Sequence, residues 1–262
     1  MSKIKLWITD IDGTIINYDG SATNRMRDLI RKVNKKIVLA TGRMFMGAAY
    51  ASDTFNIDNP VICYQGAVVR TKDEVLWQAP IKDELVFEIL DYLKKSNIHT
   101  HLYCNDILYV EDDNKRIMEA YCNGRGTTYK VVKSFNEVKI KDIPKVLGVI
   151  EDENLMNKIK TELSEKYKGV LNIVQSAKTY LEITDVKASK GYALDFLKEY
   201  WNLSDDEVIA SGDQDNDIDM LLHAGIRVCV GNNSEKLKNV AQYHCKSVNS
   251  DELVDIIERL ML

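Results

Sequence analysis

The sequence predicts an α/β protein: a parallel sheet covered by helices, with an α+β segment inserted into it. Three observations predict this. Short apolar runs alternate with amphipathic helical stretches near the start of the chain. Between about residues 80 and 185 the texture changes to hairpin-like strand pairs mixed with helices. From Lys187 the first texture returns. The expected division is therefore a discontinuous core of residues 1–79 and 186–262, with an insertion at 80–185.

The elements follow in order. KLWIT (5–9) has the composition of a buried strand, and it runs straight into Asp10 and Asp12. SATNRMRDLIRKVN (21–34) offers polar caps and places Met26, Leu29, Ile30 and Val33 on one helical stripe. KIVLA (36–40) is a second buried strand and PVICY (60–64) a third. AVVRT (67–71) and VLWQA (75–79) suit a hairpin. KDELVFEILDYLKK (82–95) is helical, with Val86, Ile89, Leu90 and Leu93 in register.

Inside the insertion, HTHLYC and ILYVED flank Asn105-Asp106, a two-residue hairpin turn. PKVLGVI, the helix NLMNKIKTELSEKY and the strand pair NIVQS/TYLEIT complete it. After the insertion come the helix SKGYALDFLKEYWN, the strand-to-loop stretch DEVIASGD, the helix NDIDMLLHAG and the short strand VCVGN. DELVDIIERLML closes the chain, with Leu253, Ile256, Ile257 and Leu260 expected on its buried stripe.

Composition narrows the function. The 262 residues are 45% hydrophobic, enough for a substantial core. Net charge is −5 with both signs spread along the chain, which argues against a nucleic-acid partner. RKVNKK (31–36) is the densest basic run, and a solvated helix face accounts for it. No apolar stretch approaches a membrane span of about 20 residues, and no apolar leader opens the chain. The five cysteines are scattered without C-x-x-C spacing and indicate reduced thiols of a cytoplasmic protein rather than a zinc site. His99 and His101 share a strand face, where a solvated or core role outweighs a ligand role.

Four stretches carry chemistry. Asp10 and Asp12 lie two residues apart, so an extended strand turns both carboxylates to one side. Such a pair can divide nucleophilic or metal-binding work from acid–base work. Thr41 and Gly42 follow a buried strand and offer a hydroxyl and a backbone N–H to a phosphoryl oxygen; an ordinary turn is the plainer reading. Ser189 is a good helix cap, which puts Lys190 in the first turn. A cation there opposes the helix dipole but strengthens an anion site. In GDQDNDID (212–219), acids are stacked in a loop before a helix, as a hard cation requires. An EF-hand loop fails for this stretch, because its glycine and distal glutamate are missing.

Taken in order, DIDGT (10–14), TGR (41–43), Lys190 and GDQDND (212–217) resemble the four motifs of the haloacid dehalogenase-like (HAD) phosphohydrolases. The insertion between the second and third motifs, YLEITDVKASKGYAL and VGNNSEKLKNVA narrow the resemblance to the Cof-type branch. It implies a Rossmann-like core with helices on both faces and an inserted cap that selects the substrate. It implies Asp10 as nucleophile forming an aspartyl-phosphate, and Asp12 as general acid and base. Mg²⁺ would be held by Asp10, the main-chain carbonyl of Asp12, Asp213 and Asp217. Thr41, Gly42, Lys190 and Asn216 would hold phosphoryl oxygens.

Arg43 either packs against its loop or reaches the substrate. The family commonly has Asn-Gly-Ala after the third strand; here the sequence is Gln65-Gly66-Ala67, so Gln65 and Gly66 become candidate substrate contacts with altered specificity. The implied activity is a Mg²⁺-dependent phosphatase of small phosphorylated metabolites, sugar phosphates first. A roofing cap disfavours protein substrates. A phosphomutase or phosphotransferase using the same aspartyl-phosphate, and a non-catalytic phosphometabolite sensor, are the alternatives.

Overall fold

The computed structural model describes residues 3–122, 127–231 and 234–262. Packing divides the chain into two compact units, Met1–Trp77 with Ser189–Leu262, and Gln78–Ala188. No helix among the described residues is long and apolar enough to cross a membrane.

The first unit begins with β1 (Leu6–Asp10), α1 (Asn24–Lys32), β2 (Lys36–Ala40), α2 (Phe45–Phe55), β3 (Val61–Cys63), β4 (Val68–Arg70) and β5 (Val75–Gln78). β1 is buried along its whole length, which is why it lacks the polar alternation of a half-exposed strand. α1 starts where the Thr23 hydroxyl accepts the Met26 N–H. It ends with Arg31 and Lys32 in its last turn, where cations oppose the negative helix end. It buries Met26, Leu29 and Ile30.

The second unit contains α3 (Asp83–Lys95), β6 (His99–Cys104), β7 (Ile107–Val110), α4 (Lys115–Cys122), β8 (Tyr129–Val131), β9 (Val146–Val149), α5 (Glu153–Lys166), β10 (Leu171–Ala177) and β11 (Tyr180–Asp185). Asn105 and Asp106 join β6 to β7 with φ of 51° and 56°, the left-handed pair that a tight hairpin demands. The sheet order is β10-β11-β9-β6-β7-β8. Val86, Ile89 and Leu93 from α3 and Met156 and Ile159 from α5 share one apolar core with Leu102, Val146 and Ile183. His101, on the alternate pleat of β6, is buried with its ring 4.6 Å from that of Tyr121.

The chain then returns to the first unit with α6 (Lys190–Trp201), β12 (Val208–Gly212), α7 (Ile218–Leu222), β13 (Ile226–Val230), α8 (Glu235–Val240), β14 (Tyr243–Cys245) and α9 (Glu252–Met261). Its sheet runs β14-β13-β12-β1-β2-β3-β4-β5. The pairs from β14 to β3 are parallel, but β4 returns antiparallel to β3, so the sheet is mixed at that edge. A short turn permits only an antiparallel return, which explains the departure from an all-parallel sheet.

The stripe of α9 is also rotated. Leu253, Val254, Ile257 and Met261 are buried, whereas Ile256 and Leu260 are only half-buried. Both sets have helical spacing, so periodicity alone did not choose between them.

The strand order matters most at β1, which lies between β2 and β12. Leu6 sits opposite both Lys36 and Val208, and Thr9 opposite Leu39 and Ser211. Segments from the two ends of the chain therefore finish side by side at one edge. Ligands of open parallel sheets collect beyond this carboxyl edge.

Candidate active site

β1 ends on Asp10, whose carboxylate is buried. The strand end is braced from behind by a polar chain. Trp7 Nε1 donates to Ser211 Oγ at 2.9 Å, Ser211 donates to Thr9 Oγ1 at 2.7 Å, and Thr9 donates to the Asp10 carbonyl at 2.9 Å. The chain then turns at Gly13, with φ of +86°. A Cβ there would lie 2.3 Å from Asp213 Oδ2, so glycine is required both by conformation and by space.

β12 delivers Asp213 beside Asp10, and the turn after it delivers Asp217. Oxygens of Asp10, Asp213 and Asp217 lie within 4.8 Å of one another, all on buried residues. Lys190 enters from the first turn of α6, capped by Ser189 as its sequence suggested. Its side chain is fully buried, and Nζ donates to Asp10 Oδ1 and to Asp217 Oδ1, each at 2.6 Å. The other Asp217 oxygen accepts the backbone N–H groups of Asp213 and Gln214, both at 3.0 Å. Asp217 thus fixes the lysine and the loop that carries Asp213.

The electrostatics are unbalanced. Burial pushes the Asp10 carboxyl well above its usual range; Lys190 opposes this, and Asp217 and Asp213 add to it. Burial also raises Asp213, against hydrogen bonds from Tyr18 and Gln214. Burial alone would lower Lys190, but Asp10 and Asp217 hold it above its ordinary value. Three buried carboxylates face one buried ammonium, so two negative charges lack a partner among these four groups. Hard oxygen donors carrying that excess fit a divalent cation.

The second motif packs alongside. Thr41 is buried, its N–H donates to the Ile62 carbonyl at 2.8 Å, and its hydroxyl accepts the Arg43 N–H at 3.2 Å. Arg43 makes a forked pair with Asp12: Nε to Oδ2 at 2.8 Å and Nη2 to Oδ1 at 2.6 Å. The sequence left Arg43 between loop packing and substrate contact; the structure gives it Asp12 as partner. Each Asp12 oxygen accepts one Arg43 hydrogen bond, which fixes the carboxylate's orientation and leaves each oxygen a second acceptor site.

Tyr64, Gln65 and Gly66 all have positive φ, at 53°, 59° and 97°. Left-handed non-glycine residues each cost about 1–3 kcal/mol and persist where surroundings over-determine them. Here the Tyr64 N–H donates to the Arg43 carbonyl and the Gln65 N–H to the Thr41 carbonyl. A Cβ on Gly66 would lie 2.1 Å from the Ser189 carbonyl oxygen, so the loop butts against the start of α6. The Gln65 amide oxygen accepts from Asn216 Nδ2 at 2.9 Å, and the Gln65 side chain lies against Gly42. Gln65 therefore spans two residues expected to hold phosphate.

The remaining acids of the fourth motif diverge. Asp215 accepts the Ser234 hydroxyl, and an Asp219 carboxylate oxygen lies against Gly191 of α6. Asn232 and Asn233 of VGNNSEKLKNVA lie outside the described residues. The sequence reading missed Tyr18 and Gln214. Tyr18 Oη donates to Asp213 Oδ2 at 2.7 Å, and Gln214 Nε2 donates to the same oxygen at 3.1 Å. No local pattern marks Tyr18, since it reaches Asp213 across 195 residues of sequence.

A family model described as haloacid dehalogenase-like hydrolase matches residues 7–257. A protein named putative phosphatase YxeH from Bacillus subtilis is 28% identical, covering 98% of each chain. A protein named phosphoglycolate phosphatase from Archaeoglobus fulgidus is 26% identical, covering 100% of this chain and 99% of its own. The solved structure of TM0651 from Thermotoga maritima is 31% identical with a TM-score of 0.88, covering 98% of this chain and 97% of that one.

Proposed function

The chain belongs to the haloacid dehalogenase-like hydrolases, in their Cof-type branch, and is a phosphoric monoester hydrolase; from that premise we propose a Mg²⁺-dependent phosphatase of small cytoplasmic metabolites that works through an aspartyl-phosphate on Asp10. The observation that carries this reading is the charge arrangement around Asp10. Its carboxylate sits between one buried cation, Lys190, and two further buried acids at the carboxyl edge of the sheet. The five cysteines are all free, which supports the cytoplasmic assignment.

In this reading an Asp10 oxygen attacks phosphorus, and the ester oxygen departs with a proton from Asp12. Arg43 keeps Asp12 oriented for that step. A water then attacks the phosphoryl group, gives its proton to Asp12, and regenerates the Asp10 carboxylate as phosphate leaves. Splitting one displacement into two is the gain from the covalent route. Lys190, Thr41, the Gly42 N–H and Asn216 hold the phosphoryl oxygens, because positioning and charge stabilisation supply most of the rate in such transfers. Asp10, the Asp12 carbonyl and Asp213 are the residues that would hold Mg²⁺, with Asp217 close behind, its oxygens engaged by Lys190 and by the backbone N–H groups of Asp213 and Gln214. When bound, Mg²⁺ offsets the repulsion between carboxylate nucleophile and phosphate. The unit 78–188 selects the substrate, and Gln65 with Gly66 tunes the phosphate end.

A panel of phosphorylated metabolites, assayed for phosphate release with Mg²⁺ and with EDTA, tests the proposal. Sugar phosphates come first, and phosphoglycolate is included because of the relative that bears its name. Turnover lost in EDTA and restored by Mg²⁺ is expected. Turnover that needs a bisphosphate activator would point to a mutase instead.

The acids of the fourth motif should contribute unequally to metal dependence. Asp213→Ala is expected to raise the Mg²⁺ requirement most. Asp217→Ala should raise it about 10- to 100-fold, the scale for groups that orient ligands. Asp219→Ala should change it little. Mg²⁺ titration of the three variants checks the order, and a dominant effect at Asp219 would misplace the site.

A further inference from the structure

Tyr18 is held by its hydroxyl rather than by its ring. The residue is 72% exposed, yet Oη donates to Asp213 Oδ2 at 2.7 Å. The turn that presents it is anchored at both ends. The Asn17 N–H donates to the Ser21 carbonyl at 2.7 Å, and the amides of Asn17 and Asn249 exchange two hydrogen bonds at 2.9 and 3.0 Å. Gln214 Nε2 closes a triangle, 3.1 Å from the same Asp213 oxygen and 3.2 Å from Tyr18 Oη. Gly13 keeps the space open: a Cβ there would lie 2.3 Å from Asp213 Oδ2 and 2.8 Å from Tyr18 Oη.

The two oxygens of Asp213 are therefore not equivalent. Oδ2 is occupied by two donors. Oδ1 is turned to Thr14 Oγ1 at 3.5 Å, and the same hydroxyl lies 3.5 Å from Asp10 Oδ2. Only Oδ1 is available to a cation held with Asp10. Mg²⁺ takes an octahedral set at about 2.0–2.1 Å and keeps several waters, so one oxygen per carboxylate suits it. Ca²⁺ takes about 6–8 oxygens at about 2.3–2.6 Å and commonly binds a carboxylate through both. Chelation by Asp213 would require at least one of these two hydrogen bonds to break.

We propose that Tyr18 and Gln214 are positioning residues that confine Asp213 to one-oxygen coordination and thereby favour Mg²⁺ over Ca²⁺. The inference rests on the metal-dependent reading of this site. It is tested on the purified, metal-stripped protein by following free Mn²⁺ with electron paramagnetic resonance, and by displacing bound Mn²⁺ with Mg²⁺ or Ca²⁺. Tyr18→Phe removes one hydroxyl from an exposed side chain, and its fold is checked by thermal melting. Its Mg²⁺ affinity should fall about 10-fold, the lower end for loss of a ligand-orienting group. Its Ca²⁺ affinity should hold or tighten, so that the preference for Mg²⁺ falls about 10-fold. Gln214→Ala should move the preference the same way by a smaller factor.

If Tyr18→Phe weakens both ions by the same factor, or neither, selectivity by confinement is wrong while the metal site stands. If the wild-type protein binds no Mn²⁺, the metal reading itself falls, and this inference with it.

Discussion

Asp10→Asn is expected to abolish turnover while leaving the fold intact. Loss of a nucleophile that acts with its neighbours as a unit registers at about 10⁴-fold or more. The amide is nearly isosteric, and its oxygen can still accept from Lys190, which also retains Asp217. The substitution removes one of three crowded buried carboxylates, the one whose carboxyl burial holds well above its usual range. The metal-free variant should therefore melt no lower than wild type. Phosphate release and a thermal melt on the same preparation check both halves. Near-wild-type activity in a clean preparation would end the covalent mechanism.

Asp12→Ala is expected to slow phosphoryl transfer by about 10²- to 10⁴-fold, the range for a general acid or base. The loss should shrink for a good leaving group such as p-nitrophenolate, because such a group departs without a proton. The forked pair with Arg43 offers a rival account in which Asp12 only anchors the arginine. The two separate cleanly. In the rival account Arg43→Ala reproduces the Asp12→Ala defect, and the loss is equal for leaving groups of very different pKa.

Much of the first unit was legible because its signals are local. A buried strand is a short apolar run, and β1, β2 and β3 fall where such runs lie. Ser189 marks the start of α6 through a hydrogen bond to a residue three positions on, which puts Lys190 at the helix entrance. The Asn105-Asp106 hairpin is likewise decided by two residues. The edge of the sheet was less legible. Short apolar runs look alike whether they pair parallel or antiparallel, so the antiparallel return of β4 carried no signal. The buried face of α9 was misplaced for a similar reason, since helical spacing admits two overlapping stripes on one apolar helix.

The candidate site divides along the same line. Residue types and motif order are written in the chain: two acids ending a strand, a lysine opening a helix, acids crowding a loop. Who touches whom is not. Lys190 meets Asp10 across 180 residues, Tyr18 meets Asp213 across 195, and Asn216 meets Gln65 across 151. Those meetings depend on β1 lying between β2 and β12. Local periodicity specifies each element within a few residues of itself. The sheet's strand order and register then choose which distant ends stand together, and so which oxygen of Asp213 faces Asp10 and which charge holds Asp12.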